Sequence, residues 1–276
     1  MPGARHGRRA FLATAAAVGA GIVSVSRVKA TGAGGLKNAC TRRDKGTKEH
    51  TLPIDLPDLS NAIDVDLDIE IIDSGVEGPT AFVVGGLHGD EEAGVIASHS
   101  ITNWSPDAGQ IVVLPEANPV AIENNTRGND LGDLNRKFRF GQLPSTKLAQ
   151  SIWNAVSAAD PDILLTLQES RGIRNKYPSG VGQTVFSSPG RNTSDAASLG
   201  LKRANRTIGS QKLKFGTGPI SGPNRAPNGL LAEKAAYEAG IPSFIVETFE
   251  NVNKKARVSW QKKIVGGILD YYDIYD

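Results

Sequence analysis

Hydrophobic positions fall along this chain in short solid runs, separated by polar stretches marked with glycine and proline. Ala81–Val84, Ile111–Leu114, Ile163–Leu167 and Phe244–Val246 are apolar at every position or nearly so. That is the pattern of strands buried on both faces. Val65–Ile72 instead alternates (VDLDIEII), as an edge or hairpin strand does. Helical stretches lie between them. One runs from Glu91 to about Thr102, and one from Pro144 to about Ala159 with Trp153 and Val156 on its apolar face, proline being suited to a first helical turn. Others cover about Ala196–Ile208 and about Leu230–Ala239, the latter stopped by Gly240, and a last one starts near Lys254. Residues 171–190 read as loop with a short strand at Thr184–Ser187. Residues 116–143 form a long polar loop rich in Gly and Asn, and loops of that length in a compact domain are usually functional. Solid strands alternating with helices predict a three-layer α/β/α sandwich around a largely parallel mixed sheet. In such sheets ligands bind at the carboxyl ends of the strands.

The first 30 residues leave the fold and carry a targeting pattern. Arg8-Arg9-Ala10-Phe11-Leu12 is a twin-arginine signature. A mild apolar run follows to about Ser26, and Val28-Lys29-Ala30 offers small residues at a cleavage site. The run is too short and too rich in Ala and Gly for a comfortable membrane span, so the expectation is export by the twin-arginine route with no stable span after cleavage. An uncleaved anchor is the alternative. Residues 31–60 read as a linker and 61–276 as one catalytic-sized domain. The whole chain has a net charge of +2, but the first 30 residues hold five basic residues and no acids. Without them 26 basic residues face 29 acidic ones, a net of −3. The basicity belongs to the targeting segment and gives no case for a nucleic-acid partner. Cys40 is the single cysteine, so no internal disulfide can form.

Candidate chemistry centres on Phe82–Glu92 (FVVGGLHGDEE). His88 and Glu91 are three residues apart where a loop after a buried strand turns into a helix, so an imidazole and a carboxylate can aim at one point. Such a pair suits zinc, although an isolated H-x-x-E is more often a loop histidine beside a first-turn acid. In the long loop, Asn135-Arg136 sets an amide beside a guanidinium, a pair able to grip a carboxylate by parallel hydrogen bonds. Arg127 supplies a second cation where an oxyanion develops. Glu247 ends a buried strand and suits a general base acting on metal-activated water. Glu250 is the competing acid but lies beyond that strand.

The ordered set HGDE, NP…R…DLNR.F, a strand ending in a ligand, and a strand ending in Glu247-Thr248 resembles the zinc carboxypeptidase superfamily. Its succinylglutamate desuccinylase/aspartoacylase branch is the closer match, over roughly residues 65–250. The resemblance implies a zinc-carboxypeptidase-like fold and hydrolysis of an amide bond next to a substrate carboxylate at one zinc ion. His88 and Glu91 would be metal ligands, Arg127 would polarise the scissile carbonyl, Asn135 and Arg136 would hold the carboxylate, and Glu247 would activate water. The chain ends about where the catalytic domain should, so no additional C-terminal β domain is expected.

One departure stands out. Where the family has its third ligand, a histidine, this chain has Gln168, in Leu167-Gln168-Glu169-Ser170. Gln168 can ligate only through a neutral amide oxygen, a harder and weaker donor to zinc than imidazole. No other histidine replaces it: His6 and His50 lie outside the domain, and His99 is about 12 Å further along the helix at 1.5 Å per residue. Glu169 points to the opposite face of the strand. The two readings are a metal-dependent amidohydrolase and a catalytically weak or inactive relative that only binds carboxylate ligands. Glu247 favours the first, because a pure binder needs no base there. Arg171, Arg174 and Lys176 after Gln168 hint at an anionic, small-molecule or short-peptide substrate, although an ordinary solvated loop would look the same.

Overall fold

The structure is a computed structural model and describes residues 24–30 and 65–276, residue 224 apart. Eight described strands form one sheet. In chain order they are β1 (Ser24–Ala30), β2 (Leu67–Asp73), β3 (Thr80–Val84), β4 (Gln110–Leu114), β5 (Ile163–Ser170), β6 (Thr184–Ser187), β7 (Gly216–Pro219) and β8 (Ser243–Phe249). Across the sheet they lie in the order β1-β2-β4-β3-β5-β8-β6-β7. The central β4, β3, β5 and β8 are mutually parallel, while β2 and β6 flank them antiparallel. The helices are α1 (Glu92–Ile101), α2 (Pro119–Glu123), α3 (Lys147–Ala159), α4 (Arg191–Asn205), α5 (Leu231–Tyr237) and α6 (Lys254–Tyr271).

Alternate strand residues serve opposite faces. Phe82 and Val84 pack with Ile152, Val156 and Leu231 of α3 and α5. Ala81 and Val83 pack with Ala97, Leu201 and Ile264 of α1, α4 and α6. That double burial explains the solid apolar runs and makes the molecule the expected three-layer α/β/α sandwich. Helix α3 shows why its residues are helical: Ala149, Ile152, Ala155, Val156 and Ala159 are buried at a three-to-four spacing. The Thr146 side chain accepts from the Ala149 N–H, and Asp160, at φ 40°, ends the helix left-handed. Pro144 therefore sits in the approach and not in the first turn.

Several expected boundaries move. The loop expected over 116–143 contains α2, with Pro119 in its first turn and Asn118 as its cap, and a 3-10 turn at Leu134–Arg136. A helix of five residues is too short to show a period. Helix α4 starts at Arg191 and stops at Asn205, ahead of the expected 196–208. β5 runs on to Ser170 and β8 to Phe249, so Gln168 and Glu247 lie inside strands. β7, with the turn-like sequence GTGP, pairs parallel to β6. β1 pairs antiparallel with β2 and coincides with the last seven residues of the segment expected to be the export signal. The twin-arginine pair, His6, Cys40 and His50 lie outside the described residues. No described helix is long and apolar enough to cross a membrane.

Candidate active site

Every candidate residue sits at the carboxyl ends of β3, β4, β5 and β8. After β3 the chain turns at Gly86, whose φ of +67° strains any residue with a Cβ. The loop is pinned to the segment after β4 by Ala117 N–H to the Gly85 carbonyl at 3.0 Å and Asn118 N–H to the Gly86 carbonyl at 2.9 Å. Gly89 lies so close to this segment that a Cβ there would fall 1.9 Å from the Ala121 carbonyl oxygen. This packing brings His88 to the start of α1, where Glu91 is the N-cap. His88 Nδ1 and Glu91 Oε1 are 2.7 Å apart, and the ring is 1 % exposed.

The loop after α2 closes over this pair. Asp133 Oδ1 lies 3.0 Å from His88 Nε2, so each ring nitrogen faces a carboxylate. Burial alone would lower the His88 pKa, but hydrogen bonds to Asp133 and Glu91 more than offset it and raise it to about 9. Burial would likewise raise Asp133, yet His88 holds that carboxyl well below its usual range. Arg127, half exposed, donates from Nη1 to Glu91 Oε1 at 3.2 Å and from Nε to Asp133 Oδ2 at 3.1 Å. Asn135 is buried and engaged at both ends of its amide. Its Oδ1 accepts from the Leu231 N–H at 3.0 Å, and its Nδ2 donates to Gln168 Oε1 at 3.2 Å. Arg136 donates from Nη1 to the Asn135 carbonyl at 2.7 Å and makes no described ion pair.

Gln168 and Glu247 are register partners on the adjacent parallel strands β5 and β8, so their side chains leave one face side by side. Gln168 Nε2 donates to Thr166 Oγ1 at 3.1 Å, completing a relay from Asn135 through Gln168 to Thr166. Glu247 is different. It is 8 % exposed, and its buried Oε2 has no hydrogen-bond partner. Burial, and then the neighbouring Glu91 carboxylate, push its pKa well above the usual range. A buried carboxylate with an idle oxygen and a raised pKa is suited to accept a proton.

Glu169 points to the other face, as the alternation of β5 requires. Its Oε2 accepts from the Ala93 N–H at the start of α1 at 3.0 Å, and its Oε1 takes the Arg257 guanidinium of α6. The Glu169 N–H in turn donates to Glu91 Oε2 at 3.0 Å. Sequence reasoning gave Asp133, Glu169 and Arg257 no role. Asp133 was within reach, since it opens the Asp133-Leu134-Asn135-Arg136 motif.

Glu91, Arg127, Asn135, Arg136, Gln168 and Glu247 line one cavity of about 510 Å³, with His88 held beneath through Glu91. Glu250 also lines it, but it is less buried than Glu247 and stands past the end of β8. His99 pairs instead with Glu116 at 2.9 Å. The three basic residues after Gln168 separate: Arg171 lines the cavity, whereas Arg174 donates to the Thr217 carbonyl and Lys176 to the Lys212 carbonyl. Backbone carbonyls of the 207–217 segment claim those two, so two of the three cations expected to face substrate do not.

Residues 77–158, under a third of the chain, match the model of the succinylglutamate desuccinylase/aspartoacylase catalytic domain. Over that segment the chain is similar to the succinylglutamate desuccinylase/aspartoacylase family. No curated protein sequence matches it. The tripeptide-bound cell shape determinant protein Csd4 of Helicobacter pylori superposes with a TM-score of 0.63 at 17 % identity, covering 91 % of this chain and 56 % of that one. An aspartoacylase family protein of Mesorhizobium loti gives 0.54 at 19 %, covering 77 % and 63 %. The product-bound ectoine utilization protein EutE (DoeB) of Ruegeria pomeroyi gives 0.53 at 18 %, covering 77 % and 62 %. Likeness at this identity is a likeness of fold, and the chain spans less than two thirds of each of these structures. The matched segment contains His88, Glu91, Arg127, Asn135 and Arg136.

The donor set can be tested against the zinc that the family resemblance implies. Among the described residues no three of His, Cys, Asp and Glu are grouped to hold a metal, and Gln168 occupies the position expected for a third ligand. The remaining donors do suit a borderline cation. Asp133 at Nε2 orients the His88 ring so that Nδ1 faces Glu91, the arrangement in which a second carboxylate fixes a ligating imidazole. Gln168 Oε1 has one lone pair taken by Asn135 and a second to offer. His88 and Glu91 would hold such an ion, with Gln168 a weaker third donor. A cation would have to replace the hydrogen bond between His88 and Glu91.

Proposed function

We propose that the chain is a metal-dependent hydrolase of an amide bond next to a substrate carboxylate. The observation that carries this reading is Glu247: a buried carboxylate with an idle oxygen, in register with Gln168, in the same cavity as Glu91, Arg127 and Arg136. A zinc ion held by His88, Glu91 and Gln168 would supply polarisation of a carbonyl and acidification of water. The chain's own residues do the rest. Arg136, in no ion pair among the described residues, takes the substrate carboxylate, and Asn135 holds the 135–136 backbone against Leu231. Glu247 takes the proton of the attacking water on its idle oxygen and returns it to the leaving amine. Arg127, half exposed and already near Glu91, offers its remaining N–H groups to the oxygen on which charge develops.

Support from relatives is coarser. The family's members include a succinylglutamate desuccinylase and an aspartoacylase family protein, and Csd4 is described as a D,L-carboxypeptidase in its mDAP-bound form. A Csd4 variant exchanging one glutamine for histidine has also been solved. We further propose export by the twin-arginine route, supported by Arg8-Arg9-Ala10-Phe11-Leu12. Fusing residues 1–30 to a reporter that is active only after folded export tests it.

The second reading, a binder without hydrolysis, is favoured by one observation: both ends of the Gln168 amide are already bonded within the protein. One experiment separates the two. The folded protein is assayed for metal by elemental analysis and for release of free amine from a panel of N-acyl amino acids and dipeptides, with zinc and with chelator. Zinc-dependent, chelator-sensitive release supports the hydrolase. Less than about a tenth of an equivalent of metal, with no turnover after zinc addition, sinks it, zinc sites in this chemistry being stoichiometric.

A further inference from the structure

We propose that the site selects substrates in which the group beside the carboxylate is bulky and apolar. The class is an N-acyl or N-peptidyl derivative of a leucine- or phenylalanine-type amino acid, in preference to an acidic or amino-bearing one. This rests on reading the cavity as the place where an amide is cut next to a carboxylate. Glu247, the candidate base, and Arg136, the candidate carboxylate grip, mark the two ends of the span a substrate must bridge.

One wall of the same cavity is apolar. Ile245 is two residues before Glu247 on β8 and so projects from the same face. Phe186 is its register partner on β6, which places the two side chains next to each other. Ile220 follows β7 and Leu230 precedes α5. All four line the cavity; Ile245, Ile220 and Leu230 belong to one apolar cluster, and Phe186 packs against it. The wall is tied to the Asn135-Arg136 pair. A Cβ on Gly229 would fall 2.6 Å from the Arg136 carbonyl oxygen, and the Leu231 N–H donates to Asn135 Oδ1. The backbone carrying Leu230 is thus seated directly on the Asn135-Arg136 pair.

The arginines that follow Gln168 are turned away from this wall. Arg171 is 83 % exposed and lies 3.6 Å from Asp90, at the mouth. Arg174 is 5.7 Å from the centre of the Phe186 ring, but it is turned to the Thr217 carbonyl and is not part of the lining. A substrate side chain ending in carboxylate or ammonium would press a charge against Ile245, Ile220 and Leu230 with no counter-charge among them, at a desolvation cost that a leucine side chain avoids.

The test is a ranking of N-acetyl-leucine, N-acetyl-phenylalanine, N-acetyl-aspartate and N-acetyl-lysine. Binding is measured by calorimetry on the protein as isolated, and kcat/KM after zinc addition. The apolar pair should bind, and be cut, roughly 10- to 100-fold better than the charged pair, the worth of burying a side chain of that size. Phe186→Ala should reduce that ratio several-fold. A flat or reversed binding order overturns the inference, whatever the activity. Hydrolysis favouring N-acetyl-aspartate also overturns it, while leaving the hydrolase reading intact. Apolar preference in binding with no amide cut under any metal supports the wall and removes the hydrolase.

Discussion

Replacing Gln168 with leucine isolates what its amide does. The two side chains are of similar size, but leucine has neither end of the relay. Gln168 Oε1 accepts from Asn135 Nδ2 at 3.2 Å and Nε2 donates to Thr166 Oγ1 at 3.1 Å. All three residues are at most 4 % exposed and Thr166 does not line the cavity, so water compensates for the lost bonds only in part. Each abandoned partner costs about 1–3 kcal/mol. Part of that is recovered, because the amide no longer has to be desolvated, and a net loss of about 2–3 kcal/mol remains. In a domain of this size each kcal/mol lowers Tm by about 2–4 °C. Calorimetry should therefore show a fall of about 4–12 °C, with the urea m-value unchanged because the surface exposed on unfolding is unchanged. The double variant Gln168→Leu/Asn135→Leu should cost less than the two single losses added together, since the partners share one bond. A Tm equal to that of the parent protein would refute the relay. Gln168 would then hold its amide loosely, and its oxygen would be available to a cation without competition.

Other perturbations separate chemistry from scaffold. Glu247→Gln should lower amide hydrolysis by about 10²–10⁴-fold, the usual worth of a general base, while elemental analysis finds the metal content unchanged. Gln168→His should tighten zinc binding by about tenfold or more, measured by competition with a chromophoric chelator, since imidazole is the better donor to zinc. Glu238→Ala strips the buried Lys234 ammonium, 1 % exposed in its side chain, of its carboxylate at 2.6 Å and the Gly141 N–H of its acceptor. Chemical denaturation should register a loss of about 2–4 kcal/mol, short of the full cost of a broken buried pair because Lys234 keeps the Gln142 carbonyl. Burial, with help from Tyr271 and Asp162, pushes the Tyr272 hydroxyl up to about 12. Between pH 10 and 12 the unfolded chain therefore gives up this proton before the folded one does, and stability falls as pH rises. Tyr272→Phe should lose less Tm than the parent protein across that window, and parallel Tm curves would count against the assignment.

Much of the fold was legible because the sheet writes itself into the sequence twice. Strands β3, β4, β5 and β8 are buried on both faces, so their apolar runs are solid, and the helices between them carry buried residues at a three-to-four spacing. Both signals are local. β7 was not legible, because Gly216–Pro219 has the composition of a turn and is a strand only through the free edge of β6. α2 was too short to show a period, and the α4 start at Arg191 lies in a polar stretch where no apolar stripe marks it. β1 was set aside with the targeting segment, although Ser24–Ala30 supplies backbone partners to β2 that no hydrophobic pattern announces.

The candidate site was legible to the extent that it follows strand ends and motif order, and illegible where distant partners decide the geometry. His88 and Glu91 could be paired from their spacing, and Gln168 and Glu247 could be placed at one sheet edge. What spacing does not contain is the crowd on the Glu91 carboxylate. Its Oε1 faces His88 and Arg127, and its Oε2 accepts the N–H of Glu169, residues separated from it by 3, 36 and 78 positions. Glu169 is then held from behind by Arg257 and by the start of α1. Glu91 is thus fixed in place by three elements before any ligand arrives, and a site of this kind can tolerate a weak third donor. If the cation is held mainly by a rigid imidazole–carboxylate pair, Gln168 can give one lone pair to Asn135 and keep the other for the ion. Loosening Glu91 should therefore matter more than altering Gln168: Arg257→Met, which cuts the support behind Glu169, should weaken zinc binding more than Gln168→Leu does. The opposite order in a metal titration would place the weight of the site on Gln168.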